Sequence, residues 1–320
     1  MRADICKMIG IKVPIFQGAM TNVSDKYLVS AVSNAGGLGI FAPGDDSSSG
    51  DADWLRMKIQ EIRERTDKPF GVNLAMRSSR INDFVKVICE EKVAIITTGG
   101  GDPTPFIPQL KEAGVLVAPV VPDARAAKKM EEAGADMVVA SGMEGGGFVG
   151  KVTTLVTVPQ VIAAVNIPVI AAGGICDGRG LAAAMALGAS GVQMGTRFMM
   201  SKESTIPQAF KDAMVKAKSK EALPVDSVLR KGPQLRCLKT KVVDEIQIYE
   251  NQNTADADVY QNMFNSARDE SLMREGRVNE TLMPMGEAAG AITQILSCQE
   301  IIDRTMAEYR ETLAILKELA

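Results

Sequence analysis

Two glycine turns carry the clearest chemical signal in this 320-residue chain. Residues 168–196 read PVIAAGGICDGRGLAAAMALGASGVQMGT. Two short apolar strands, 169–172 and 192–194, end in Gly173-Gly174 and Gly195-Thr196, with an Ala/Leu-rich helix over 180–187 between them. Neighbouring parallel strands that end in glycine at one sheet edge leave uncrowded backbone N–H groups able to converge on a phosphate. Other polar residues stand where apolar runs stop. Asn73 closes PFGVNLA, Gln17 and Gly18 close the first run, and Gln193 precedes the second glycine turn. A polar side chain in such a place needs partners, either a bound ring edge or neighbouring backbone. The loop SGMEGGGFVG, 141–150, holds three consecutive glycines, which are costly to order and suit close approach to a flat ligand. Within it, Glu144 reads as an acid, an ion-pair member or a solvent-facing residue, and Phe148 as an apolar wall.

Histidine is absent from the chain. Ser-His and Cys-His nucleophiles, His-ligated metals and a histidine general base are thereby excluded. The cysteines, Cys6, Cys89, Cys176, Cys237 and Cys298, are scattered and never in C-x-x-C spacing, so no metal site is expected. A Walker loop and a G-x-G-x-x-G after the first strand are both missing. Chemistry must therefore come from a cofactor, a carboxylate, Lys, Tyr, Cys, backbone or water.

Apolar runs ending in glycine or small polar residues recur at 15–20, 38–42, 70–75, 93–98, 115–121, 137–141, 169–172 and 192–194. Amphipathic spacing predicts helices over 54–65, 81–91, 105–113, 124–133 and 155–165 between them, with Gly114, Gly134 and Gly188 at helix C-termini. This alternation predicts an α/β fold, a (β/α)8 TIM barrel whose active site gathers at the C-terminal strand ends. The rhythm stops near Ser201. Residues 1–202 are read as the barrel, 203–285 as a smaller, mostly helical cap or substrate domain, and 286–320 as two helices returning to the barrel, over 286–295 and 298–319. Residues 224–243 are expected to hold extended pieces.

A net charge of −3 with no basic cluster argues against nucleic acid or an acidic membrane as partner. No apolar run is long enough for a transmembrane span, and the first residues lack the pattern of a signal peptide. A reduced, cytoplasmic protein is expected.

The motifs PIFQGAM, AGGLGIF, KPFGVN, TTGGG, APVVPD, SGMEGGG-x-x-GK-x-TT, IPVIAAGGI-x-DGRG and GASGVQMGTRF, in order over residues 10–205, resemble the nitronate monooxygenase and FMN-dependent enoyl-ACP reductase superfamily. The tail GEAAGAITQILSCQEII is similar to the FabK-type reductase branch. The resemblance implies an FMN-binding flavoprotein oxidoreductase. Gln17, Gly18, Ala19, Met20 and Asn73 would lie near the ring, Ser141 and Gly146 would flank the flavin, and Gly173, Gly174, Gln193, Met194, Gly195 and Thr196 would bind ribityl and phosphate. In the reductase branch NADH or NADPH is the reductant and the substrate an enoyl thioester of fatty acid biosynthesis, on acyl carrier protein or CoA. In the other branch a nitronate is oxidised, as in 2-nitropropane dioxygenase. A homodimer is also implied. The departure is at Phe148, where both branches carry a histidine at the loop end. The catalytic acid is therefore unassigned, and a flavin-binding protein with weak or lost turnover stands as a further alternative. Tyr249 and Tyr260 are the other proton donors considered, with nothing in the sequence to place either at the ring.

Overall fold

A computed structural model describes residues 4–44, 50–225, 233–252 and 255–319. Eight parallel strands form one sheet: β1 Ile15–Gln17, β2 Gly39–Phe41, β3 Phe70–Ala75, β4 Ile95–Gly99, β5 Leu116–Val121, β6 Val138–Ser141, β8 Val169–Ala172 and β9 Gly191–Met194. A further short strand, β7 Gly147–Val149, leaves the barrel after β6. The sheet runs β1-β9-β8-β6-β5-β4-β3-β2, and a parallel bridge between Phe16 and Leu38 joins its two ends. The barrel read from the sequence is thus closed.

Alternation along the strands sorts the core into two layers. Phe16, Leu38, Ile40, Ile95, Ala118, Met137, Val139, Ile170 and Ala172 point inward and pack on one another, with Ile5 and Ile9 of the N-terminal helix plugging one end. Ile15, Phe41, Val72, Ile96, Val117, Val138, Ala171, Val192 and Met194 point outward onto the helices. The predicted helices form over Ala52–Arg63, Ile81–Glu90, Ile107–Glu112, Ala124–Glu132, Thr154–Ala164 and Gly178–Leu187. Lys26–Asn34 adds another that the apolar spacing did not single out. Asp25, Asp51, Asp123 and Asp177 cap four of these helices through their side chains, each accepting backbone N–H groups of the first turn. Cys298–Glu318 packs between Gly178–Leu187 and Lys26–Asn34 and completes the outer ring.

Between β9 and that last helix lies the cap. Helices Gln208–Lys216, Lys241–Glu250, Ala257–Ser266 and Glu270–Arg274 surround a small antiparallel sheet of β10 Ala222–Val225, β11 Gln234–Leu238 and the barrel's β7. The extended pieces expected over 224–243 are therefore present, residues 226–232 lying outside the described chain, and a helix occupies its end. The helix predicted over 286–295 is instead a 3-10 turn at Glu287–Ala291. Backbone contact explains the difference, because a Cβ at Gly290 would lie 2.5 Å from the Ser219 nitrogen, so this strand of chain packs too closely for a helix with side chains.

The barrel seam depends on Gln17, which is fully buried. Its Oε1 accepts the Ile40 N–H (3.0 Å), its Nε2 donates to Ser24 Oγ (2.7 Å) and to the Gly18 carbonyl, and Ser24 Oγ in turn accepts the Met20 N–H (2.9 Å). One amide thereby fixes β2 to β1 and shapes the turn that follows β1. Gln17→Leu strands these groups without partners, at about 1–3 kcal/mol for each group left buried. Chemical denaturation is expected to show a loss of about 3 kcal/mol. An unchanged midpoint would remove Gln17 from this role.

Candidate functional site

The inward register rule brings the polar residues of several strands to one level. Asn73 is level with Thr97, and Ser141, Ala172, Gln193 and Phe16 form a second row across β6, β8, β9 and β1. All stand at the C-terminal strand ends, the face on which barrel enzymes build their sites.

A narrow slot opens beside the second row. Gly18, Ala19 and Met20 line it from β1, Ser141 and Gly146 from β6 and its loop, Gly173 and Gly174 from β8, and Gln193, Gly195 and Thr196 from β9. Three of the residues named from the sequence lie elsewhere, Gln17 being spent on the barrel seam. Met194 is buried in the outer core between strand and helices, since it neighbours the inward Gln193, although its carbonyl accepts the Gly18 N–H at 2.9 Å. Asn73 faces into the barrel from across its mouth, and its Oδ1 accepts the Thr97 hydroxyl at 3.0 Å. The slot also takes Glu144, Gly145, Ile175, Met199, Pro284, Gly286 and Ala288. The cap-side residues among these carry no local sequence signal, because they reach the site only through the chain's return from the cap.

The geometry suits an anion at one end. Gly173 and Gly174 have φ of +105° and +71°, a left-handed pair that turns successive N–H groups toward one point. Among the described residues, the N–H groups of Gly174, Gly195 and Thr196 donate to no protein acceptor. Among the described residues, no Lys or Arg lines the slot. Arg179 lies outside, paired with Asp177 at 2.8 Å. Arg197 is buried behind the turn, where its guanidinium donates to the Met200 and Gln294 carbonyls (3.2 and 2.6 Å) and burial lowers its pKa. An anion at this end would therefore be held by backbone dipoles.

The loop 141–150 is built by contact with the cap. A Cβ at Gly146 would lie 2.7 Å from the Gly286 nitrogen, and one at Gly286 would lie 2.8 Å from the Glu144 carbonyl oxygen, so two backbones cross there with nothing between them. The Gly286 N–H donates to Thr196 Oγ1 (2.9 Å) and the Glu287 N–H to the Glu144 carbonyl (3.0 Å). Arg236 of β11, 4% exposed, donates through Nε to the Met143 carbonyl (2.9 Å) and pairs with Glu287 (2.9 Å). Glu144 is neither ion-paired nor solvated as the sequence suggested. Its carboxylate accepts the Thr154 N–H at 2.9 Å and hydroxyl at 2.8 Å, capping the Thr154–Ala164 helix in place of a side chain from Thr153.

Phe148 does not form a wall of the slot. It sits on β7 opposite Leu235, 53% exposed, with the Arg268 guanidinium 5.9 Å from its ring centre. The tyrosines weighed as proton donors are also remote. Tyr260 is buried in the cap core near Phe264, and the Tyr249 hydroxyl accepts the Asp256 N–H at 2.9 Å. Burial, with Asp177 beside it, pushes the Cys176 thiol up to about 11, so it stays protonated and poorly nucleophilic at neutral pH. No cluster of metal-ligating side chains occurs among the described residues.

The family model for nitronate monooxygenase matches residues 2–86 and 81–308. A probable nitronate monooxygenase of Staphylococcus saprophyticus is 30% identical over 96% of this chain and 97% of its own length. The (3aS,4S,5R,7aS)-5-hydroxy-7a-methyl-1-oxo-octahydro-1H-indene-4-carboxyl-CoA dehydrogenase of Mycobacterium tuberculosis is 40% identical over 77% of this chain and 69% of that protein. Among solved structures, FabK from Thermotoga maritima covers 100% of both chains at 41% identity with a TM-score of 0.93. FMN is the cofactor of nitronate monooxygenases and of FabK, and the slot fits it. Its glycine turns offer free N–H groups for a phosphate, and its walls are mostly small residues with two sulfur-bearing side chains, Met20 and Met199, among them.

A side chain in the cradle is expected to remove the flavin. At Gly173 the backbone φ of +105° is unfavourable for any L-residue, and a Cβ would lie 2.7 Å from Thr154 Oγ1. Gly173→Ala and Gly174→Val should purify with at most about a tenth of the normal flavin absorbance per chain while keeping the far-UV spectrum of a folded barrel, the loss of one or more charge-assisted phosphate contacts being worth tenfold or more. Full flavin content in both variants would place the phosphate elsewhere.

Proposed function

Since the chain belongs to the nitronate monooxygenase family of FMN-dependent oxidoreductases, we propose that it is an NAD(P)H-dependent reductase of an enoyl thioester. The supporting observation is the likeness to FabK, which runs through the barrel and the cap over the whole of both chains. FMN, when bound, supplies the hydride chemistry. The chain supplies the rest. Gly174, Gly195 and Thr196 bind the phosphate through backbone N–H groups. The Ser141 hydroxyl and the Gln193 amide are positioned to orient the ring edge from β6 and β9, on either side of β8. Pro284 and Gly286 of the returning chain line the slot on its cap side.

Proton delivery falls to solvent in this reading. Glu144, the acidic side chain on the slot wall, is committed to Thr154, and Phe148 faces Arg268 outside it. The same lack of a base bears on the alternative activity. A neutral nitroalkane needs a base to remove its carbon-bound proton, whereas a nitronate arrives already deprotonated. Oxidation of nitronates, favoured by the full-length likeness to the staphylococcal relative, is therefore the second reading, and oxidation of neutral nitroalkanes is not expected.

Anaerobic stopped-flow spectroscopy separates the two. The reductase reading expects NADH or NADPH to bleach the flavin within seconds and crotonyl-CoA or crotonyl-ACP to restore it. Bleaching by a nitronate, with no response to either nicotinamide, would replace it with the second reading. Phe148→His should change turnover by less than about tenfold, because general acid–base catalysis worth ~10²–10⁴-fold requires a group facing the reacting atoms. A gain of a hundredfold would show that residue 148 does reach them.

A further inference from the structure

Behind the glycine cradle lies a buried cation with no carboxylate of its own. Arg197 follows directly on Gly195-Thr196 and is 7% exposed. Its guanidinium donates to two backbone carbonyls, those of Met200 (3.2 Å) and Gln294 (2.6 Å), while its Nε is buried without a hydrogen-bond partner. Among the described residues it forms no ion pair; the groups that act on its charge are Cys176, Arg304 and Cys298. Neutral carbonyls solvate a guanidinium in part, but they supply no counter-charge, so such a group is costly to bury.

The neighbouring groups do not restore the balance. Cys176, in the turn after Gly173-Gly174, and Cys298, at the start of the Cys298–Glu318 helix, are both held protonated, burial being the first cause in each. Arg304 of that helix adds a like charge and donates to the Gln294 side-chain oxygen at 3.1 Å. The acids nearby have other partners. Asp177 pairs with Arg179 at 2.8 Å, and Glu308 accepts the Gly178 N–H at 2.9 Å. Glu203 accepts the Cys298 N–H at 2.9 Å and supports the charge of Lys211, whose ammonium donates to the Ser201 and Ser204 carbonyls. Asp177, Glu308 and Glu203 thus stand against Arg179, Lys211, Arg304 and Arg197, and one positive charge is left over. The excess lies close to the cradle. One helical turn, about 5 Å, separates Thr196 from the Met200 carbonyl that the guanidinium holds, so the charge sits roughly 5–10 Å from the N–H groups of the turn.

We propose that Arg197, without touching the flavin, supplies the charge that makes this cradle select a phosphate dianion, the bound phosphate being the counter-ion that the folded chain does not itself provide. The backbone N–H groups make the contacts, and Arg197 sets the sign and strength of the field in which they act. The inference rests on the reading that the two glycine turns hold the FMN phosphate. At such a separation inside a protein, a full positive charge is worth about tenfold or more in the affinity for a dianion, and burial protects it from screening by salt.

The ratio of FMN to riboflavin affinity isolates this charge. Flavin-stripped wild type, Arg197→Met and Arg197→Lys are each titrated with both flavins, following flavin fluorescence. Arg197→Met should lower the ratio by about tenfold or more, whereas Arg197→Lys, which keeps the charge, should hold it within about threefold of wild type. A purely structural role, through the Met200 and Gln294 carbonyls, would weaken both flavins equally and leave the ratio unchanged in Arg197→Met, which overturns the proposal. If Arg197→Met does not fold, Arg304→Glu at the exposed surface of its helix takes its place, at about 10 mM salt, where the screening length is about 30 Å. The ratio should then fall by about threefold or more, and an unchanged ratio overturns the proposal in the same way. Failure of the underlying reading looks different. Equal affinity for the two flavins in the wild type would remove the phosphate from the turns altogether, while a wild-type preference for FMN that survives Arg197→Met would leave the cradle standing and remove only Arg197.

Discussion

Two stretches of backbone cross at Gly146 and Gly286 with no side chain between them, and the site exists because they can. The crossing presses the loop after β6 against the chain returning from the cap. From it, the Gly286 N–H reaches the Thr196 hydroxyl and thereby fixes the turn at the end of β9, one side of the phosphate cradle. Arg236 secures the same crossing from the cap side by holding the Met143 carbonyl and Glu287. A methyl group at either glycine would separate barrel from cap by more than the packing of either can absorb. Barrel and cap are thus distinct in sequence and joined at the site.

The chemistry follows from what this arrangement leaves out. With no histidine in the chain and the one acidic side chain of the slot used as a helix cap, the residues bind, orient and cover rather than exchange protons. In the function proposed, backbone N–H groups fixed by the fold would hold the phosphate where other sites use arginine or lysine, with no reorganisation.

Much of this was legible in the sequence where local physics decides. The eight strands show as apolar runs ended by glycines, and the two cradle turns show because neighbouring parallel strands end at the same edge. Alternation decides finer points. Gln193 faces inward, so its neighbour Met194 has to face the outer core. Gln17 shows as a polar residue needing partners, but that those partners are Ile40 and Ser24 depends on barrel closure. Least legible were the features made by distant pieces of chain. The role of Glu144 as a helix cap, the capture of residues 147–149 as a cap strand, and the 3-10 turn at Glu287–Ala291 all arise from contacts between segments far apart in sequence. The alanine-rich spacing of that last segment is helical, and tertiary contact at Gly286 and Gly290 overrides it.

The central claim is that two glycine turns hold the phosphate of FMN through backbone N–H groups, and comparison of FMN with riboflavin tests it most directly, since the two ligands differ only in that phosphate. Titration of the flavin-stripped protein, followed by quenching of flavin fluorescence, is expected to give FMN binding at least about a hundredfold tighter than riboflavin binding, the worth of two charge-assisted contacts. Equal affinity for the two would contradict the account.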